Sequence, residues 1–232
     1  VTLKNSSGKA KIYRLDWTES QPLDVDLGTL DYRLIQEDGL TYVSLRSFVS
    51  GTYDNMLARY AREGAKARGS KAVIYDLRGN VGGSDSWPRK WIQSFLGTQN
   101  SIETSMLYAQ KNSALFAAEN SESLLPEDEG TCFAREVHGT WYENDIPIIV
   151  LVDDHCGSSG EGAVQLLKTL DNVLIVGSNT AGYQLCGNIS TFTLPYTGIG
   201  VRFGSTLFLY GDGENVDHRG YAPAVSYTHL RA

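Results

Sequence analysis

The chain has few of the residues that would hold it together by staples, seat it in a bilayer or fix it to nucleic acid. Its three cysteines, Cys132, Cys156 and Cys186, are an odd count without the paired spacing of a metal site. One disulfide with a leftover thiol and three free thiols are both compatible with that count. Long apolar runs are missing: the longest, Ile146–Val152, is a strand's length, far short of the roughly 20 residues that cross a membrane as a helix. Positive charge is also scarce. Twenty Lys and Arg face 27 Asp and Glu, a net charge of −7 with no basic cluster, which sets aside nucleic acid and anionic membrane as principal partners. There is no internal repeat and no low-complexity tract. No signal peptide is visible and the chain opens at Val1, so it reads as a segment of a longer protein. What is present, 41% apolar against 20% charged residues over 232 positions, suffices for one substantial core and excludes wholesale disorder.

Along the chain, Val1–Lys4 and Lys9–Leu15 alternate around Asn5-Ser6-Ser7-Gly8 and predict a hairpin, followed by a polar stretch to about Asp26. A second hairpin is expected from Tyr32–Gln36 and Leu40–Leu45 around Glu37-Asp38-Gly39. Thr52–Lys66 has helical spacing, Lys71–Leu77 is a strand running into a Gly-rich turn, and Ser84–Phe95 is a helix with Pro88 in its first turn. Between Gly97 and Asn144 the pattern is weak, with Ser101–Tyr108 as a strand candidate and Ser121–Gly130 as an acidic loop. Order returns with a buried strand Ile146–Val152, a helix Ser158–Leu170, a strand Val173–Gly177, and a β-rich end at Asn188–Leu194 and Gly200–Tyr210. Repeated strand–turn–helix units predict an α/β core with a mostly parallel sheet.

Two of those turns could carry chemistry. In the first, the buried strand ending at Val152 runs through Asp153-Asp154-His155-Cys156-Gly157 and delivers Ser158 to the start of a helix. Free amides and the helix dipole there favour developing negative charge, so a nucleophile would have its oxyanion donors beside it. The same residues also fit a plain capping box, Ser158-x-x-Glu161, and the Gly spacing of the α/β-hydrolase elbow is absent. In the second, Tyr75-Asp76-Leu77-Arg78-Gly79-Asn80-Val81-Gly82-Gly83-Ser84 is a strand, a turn and a helix. Its paired glycines let the backbone turn sharply and expose N–H groups. It lacks the Lys-Ser/Thr of a phosphate loop and the G-x-G-x-x-G order.

Taken together the two turns closely resemble the serine peptidase family of C-terminal processing (tail-specific) proteases and the tricorn core protease. The motif D-L-R-x-N-x-G-G is matched by Asp76-Leu77-Arg78-Gly79-Asn80-Val81-Gly82-Gly83, and the small residue, serine, two small or polar residues and acid by Gly157-Ser158-Ser159-Gly160-Glu161. V-G-x-x-T-x-G is matched by Val176–Gly182, and the last motif mostly by Asp217-His218-Arg219-Gly220-Tyr221-Ala222-Pro223. The resemblance covers roughly residues 30–223. It implies a ClpP/crotonase-like core of stacked ββα units over residues 25–224, preceded at 1–24 by the end of a PDZ-like β domain. Residues 225–232 depart from the pattern and read as a non-native tail. Further implications are Ser158 as acylated nucleophile, the N–H groups of Gly82 and Ser159 as oxyanion hole, a peptide or protein substrate, no cofactor or metal, and a place outside the bacterial cytoplasm.

The base is the open point of the resemblance. Where the tail-specific branch carries its lysine this chain has Tyr183, and no lysine follows Lys168, so a Ser–Lys dyad is rejected. The tricorn-like branch takes a histidine from a segment before its PDZ domain and a Glu near the end of the chain, whose counterpart here is Asp217. The base is therefore expected upstream of Val1, with His218 the first candidate within the chain, ahead of His155 and His138. Arg78 is expected to orient its turn, Cys156 to be a buried small side chain and Glu161 a helix cap. The competing readings are a peptide-binding module of the same fold without a base, and an acyl transferase or hydrolase acting on small esters.

Overall fold

The computed structural model describes residues 2–4, 10–12, 32–51, 53–119, 129–211 and 215–226. In chain order its elements are β1 (Thr2–Lys4), β2 (Ala10–Ile12), β3 (Arg33–Glu37), β4 (Leu40–Ser44), α1 (Asp54–Glu63), a 3-10 turn (Gly64–Gly69), β5 (Ala72–Asp76), α2 (Ser86–Leu96), β6 (Met106–Lys111), α3 (Ala114–Glu119), β7 (Cys132–Val137), β8 (Ile148–Val152), α4 (Ser159–Leu167), β9 (Val173–Gly177), β10 (Cys186–Thr193), β11 (Gly200–Tyr210) and β12 (Val225–Ser226). None of the described helices is long and apolar enough to cross a membrane.

The main sheet has the order β12-β9-β8-β5-β4-β3, parallel throughout except for the β3–β4 hairpin at its edge. Its central strand β8, Ile-Ile-Val-Leu-Val, is built of β-branched and leucine side chains that suit a strand covered on both faces. Ile148, Val150 and Val152 are buried with Val73 and Tyr75 of β5, against Trp91 and Ile92 of α2 and Leu166 and Leu167 of α4. The chain steps β4, β5, β8, β9 across the sheet in one direction. Right-handed crossovers then set α1, α2 and α4 on one face, and α2 packs on both of the others. The parallel strands also point one way, so the loops that follow β4, β5, β8 and β9 collect at one edge.

A second, antiparallel sheet, β10-β11-β6-β7, stands beside this layer. It accounts for the stretch whose pattern is weak. The strand sought at Ser101–Tyr108 forms instead at Met106–Lys111, because Ile102 and Thr104 are buried in the approach to it. Its partner β7 is exposed along most of its length and shows no alternation. The acidic loop falls largely outside the described residues.

Other boundaries shift for local reasons. The expected helix to Leu170 ends at Leu167, and the amides of Thr169 and Leu170 close a tighter turn on the carbonyls of Leu166 and Leu167. The first hairpin pairs Leu3 with Lys11 as its alternation predicts, while residues 13–31, on which the PDZ-like remnant depends, lie outside the described residues. Val225 and Ser226 were assigned to the tail, yet they pair with Val176 and Gly177 and extend the sheet two residues past the boundary at 224. All three cysteines are free, Cys156 buried and Cys132 and Cys186 exposed.

Leu166 is wholly enclosed between helix and sheet, so Leu166→Ala should cost about 2–5 kcal/mol, read as a lowered urea midpoint with an unchanged slope.

Candidate active site

The loop after β5 is shaped by a buried carboxylate. Asp76 has no exposed surface and accepts the backbone N–H of Arg78 at 3.0 Å, its Nε at 3.0 Å and its Nη2 at 2.8 Å. The Tyr42 hydroxyl adds a bond of 2.7 Å and Arg46 lies at 3.4 Å. Burial alone would raise the Asp76 carboxyl; the Arg78 guanidinium, helped by Arg46 and Tyr42, holds it below the usual carboxylate range. Arg78 thus orients the turn, as expected. The next residues are tied across to β8. Gly79 N–H donates to Asp153 Oδ1 at 2.9 Å, and the carbonyl of Asn80 accepts Gly157 N–H at 2.9 Å. The buried Asn80 amide donates to Leu45 O at 2.7 Å and accepts from Gly82 N–H at 2.9 Å. Gly83, at φ +139°, passes so near Phe48 that an added Cβ would stand 2.1 Å from its carbonyl carbon.

The loop after β8 ends in Ser158 at φ 53°, ψ −124°. That conformation is sparsely populated for a residue with a Cβ and persists only where the surroundings impose it. Glu161, fully buried one turn into α4, provides much of the constraint. Its Oε2 accepts Ser158 N–H at 3.1 Å and Tyr183 N–H at 2.8 Å; its Oε1 accepts the Thr180 hydroxyl at 2.6 Å and Gly182 N–H at 2.8 Å. Glu161 is therefore the expected cap and also the anchor of the segment after β9. Thr180 continues the chain of contacts, since its Oγ1 accepts Tyr221 N–H at 2.7 Å.

Ser158, Gly82 and Ser159 meet. A Cβ added to Gly82 (φ +96°) would lie 2.7 Å from Ser158 Cβ and 2.9 Å from Ser159 N, and Ser159 Oγ donates to Gly83 O at 2.9 Å. Ser159 N–H occupies the first helical position, where no intrahelical acceptor exists. The Gly82 N–H does not stand free as expected, because the Asn80 side chain, two residues away in the same turn, accepts it. Tyr183 is placed beside Ser158: its ring covers Gly157 and it lines the same cavity as Ser158. Cys156 is buried, and burial pushes its thiol up.

Asp217 and His218 sit in a turn docked on this segment through His218 N–H to Gly182 O at 3.1 Å. Consecutive residues of a strand would point apart; here His218 takes φ 58° and its ring stands 3.6 Å from the Asp217 carboxylate, 85% exposed. His155 is likewise at the surface, 2.9 Å from Asp154. Among the described residues no histidine ring is hydrogen-bonded to Ser158.

The cavity that holds Ser158 has a volume of about 280 Å3 and is also lined by Asp85, Gln184, Phe208 and Tyr210. Sequence reasoning passed over Asp85 and Gln184. An acid just after a Gly pair reads as the start of α2, and nothing in the pattern brings Gln184 to it.

Comparison with known proteins follows this geometry. The model of the family described as peptidase family S41 matches residues 39–227. The carboxy-terminal processing protease CtpA of Bacillus subtilis (strain 168) is 24% identical over 196 residues, 84% of this chain and 36% of that protein. The chain therefore spans about a third of the length of this relative. Among solved structures, the photosystem II D1 C-terminal processing protease superposes with a TM-score of 0.51 at 20% identity, over 81% of this chain and 42% of that one. Mature CPAF superposes with a TM-score of 0.56 at 13% identity, over 97% and 48%. These likenesses establish the fold.

Asp76→Asn should lower stability at neutral pH by up to about 3–5 kcal/mol, less where water screens the part-exposed Arg78. Because the folded carboxyl titrates below the unfolded one, near 3.9, its contribution is complete above that value and is lost as pH falls through the folded pKa. Acid titrations followed by circular dichroism should therefore show a shallower acid limb in the variant.

Proposed function

This chain belongs to peptidase family S41, and from that premise we propose that it is the core of a serine peptidase that cleaves peptide bonds through an acyl-enzyme on Ser158. The single observation that carries the reading is the strained serine at the mouth of α4, held against a glycine that could not accept a side chain. In the proposed reaction Ser158 Oγ attacks the peptide carbonyl, and the oxyanion takes the N–H of Ser159 with that of Gly82, which Asn80 Oδ1 shares. The general base is a histidine supplied from upstream of Val1, and Asp217 is its acidic partner, or the partner of His218 if that ring moves inward. What supports an external base is the exposure of the three described candidates, His138, His155 and His218, and the absence of a lysine at Tyr183. Tyr183 is also the observation that favours a second reading, a peptide-binding module of the same fold with no hydrolysis.

The full-length protein should be labelled at Ser158 by a fluorophosphonate and should hydrolyse peptides, and Ser158→Ala should abolish both. Unlabelled Ser158 with intact peptide binding would establish the second reading. Gly82→Ala, which forces a Cβ into Ser158 at a positive φ, should lower kcat by roughly a hundredfold or more, the scale of a lost oxyanion donor, measured as initial rates on one peptide.

A further inference from the structure

We propose that the cavity beside Ser158 is a specificity pocket for a basic side chain of the substrate, lysine or arginine, with Asp85 as the carboxylate that recognises it. The inference rests on the peptidase reading of Ser158 and names its substrate class. At about 280 Å3 the cavity has the size of one long side chain rather than of a cofactor. Two acceptors lie buried against it, Asp85 Oδ1 and Gln184 Oε1, and neither has a hydrogen-bond partner among the described residues. Such atoms are costly to leave unpaired.

Several neighbouring groups are engaged with other partners, and none of them is bonded to either acceptor. Gln184 Nε2 donates to Tyr210 Oη at 2.8 Å, Ser159 Oγ donates to Gly83 O, and the Arg89 guanidinium is bonded to Ile102 O and the Glu103 carboxylate. Asp85 is thus a half-buried residue whose Oδ1 is sealed from solvent without a bonded counter-ion among the described residues, and burial pushes its carboxyl up against the opposing pull of Ser159 and Arg89. A hydroxyl would bring one donor to the two acceptors, whereas an ammonium brings three and a guanidinium five. The rings of Phe208, Tyr210 and Tyr183 line the same space and suit the apolar stem that carries such a head group. Gly162 makes room for both side chains: a Cβ there would stand 2.5 Å from Asp85 Oδ1 and 3.0 Å from Gln184 Nε2.

The test is a calorimetric titration of the full-length protein with benzamidine and with its neutral isostere benzamide. The expected result is benzamidine binding at least about 30-fold tighter, the scale of leaving one partner of a buried charge pair alone, with Asp85→Asn bringing the two ligands within about threefold. Peptide-library cleavage read by mass spectrometry should show lysine or arginine enriched at one position flanking the scissile bond. Equal affinity of the two ligands for the unaltered protein overturns the proposal whether or not the variant folds; this is the outcome if the Gln184 amide rotates to satisfy Asp85 itself. A preference that survives Asp85→Asn also overturns it. Selective benzamidine binding together with an unreactive Ser158 would keep the pocket and remove the peptidase reading, so the two failures are separable.

Discussion

Four donors converge on the buried carboxylate of Glu161, and they come from two separate stretches of chain: the amide of Ser158, and the Thr180 hydroxyl with the amides of Gly182 and Tyr183. A carboxylate taken out of water is tolerated only when its lone pairs are used, and here each oxygen accepts two bonds. Charge-assisted bonds of this kind are stronger than neutral ones. Removing any of these donors would leave a buried charged oxygen with one bond in place of two. The geometry of Ser158, the course of residues 180–183 and the docking of residues 216–221 are therefore solved together.

That network explains how an unfavourable backbone conformation is sustained. Ser158 at φ 53°, ψ −124° costs free energy, and it is over-determined from both sides. Glu161 holds its amide, Asn80 O holds the amide of Gly157, and Cys156 O accepts the amide of Ala181 at 2.8 Å. On the facing loop, Asp76 and Asn80 spend buried polar groups on fixing a backbone bend, so that Gly82 meets the serine without freedom to retreat. The rigidity comes from hydrogen bonds to main-chain groups rather than from apolar packing, which is non-directional and could not set a turn to this accuracy.

The legible parts of this molecule are those where local pattern and tertiary role agree. The run Ile146–Val152 announces a strand covered on both faces, and β8 is that strand. The glycines of Asp76–Gly83 announce a close backbone approach, and Ser158 is what they approach. Illegible parts are those whose order comes from distant residues. The strands β6 and β7 are joined across some twenty positions and carry little alternation, so no local period marks them. Glu161 fits a capping box so well that its second task, anchoring Thr180 to Tyr183, leaves no separate trace in the pattern. Asp217 and His218 are adjacent in sequence, and nothing local announces the positive φ that turns them toward one another. Asp85 and Gln184 are nearly a hundred positions apart and become neighbours only where both meet Gly162 of α4.

Thr180 joins Glu161 of α4 to Tyr221, close to the end of the described residues. A polypeptide emerging from the ribosome would carry Ser158 into the open well before Tyr221 exists to steady the segment that Glu161 grips. Until that late piece arrives, the segment that Glu161 grips lacks one of its ties, the bond from Tyr221 N–H to Thr180 Oγ1. The conformation of Ser158 is therefore completed only by a contact made more than sixty residues after it along the chain.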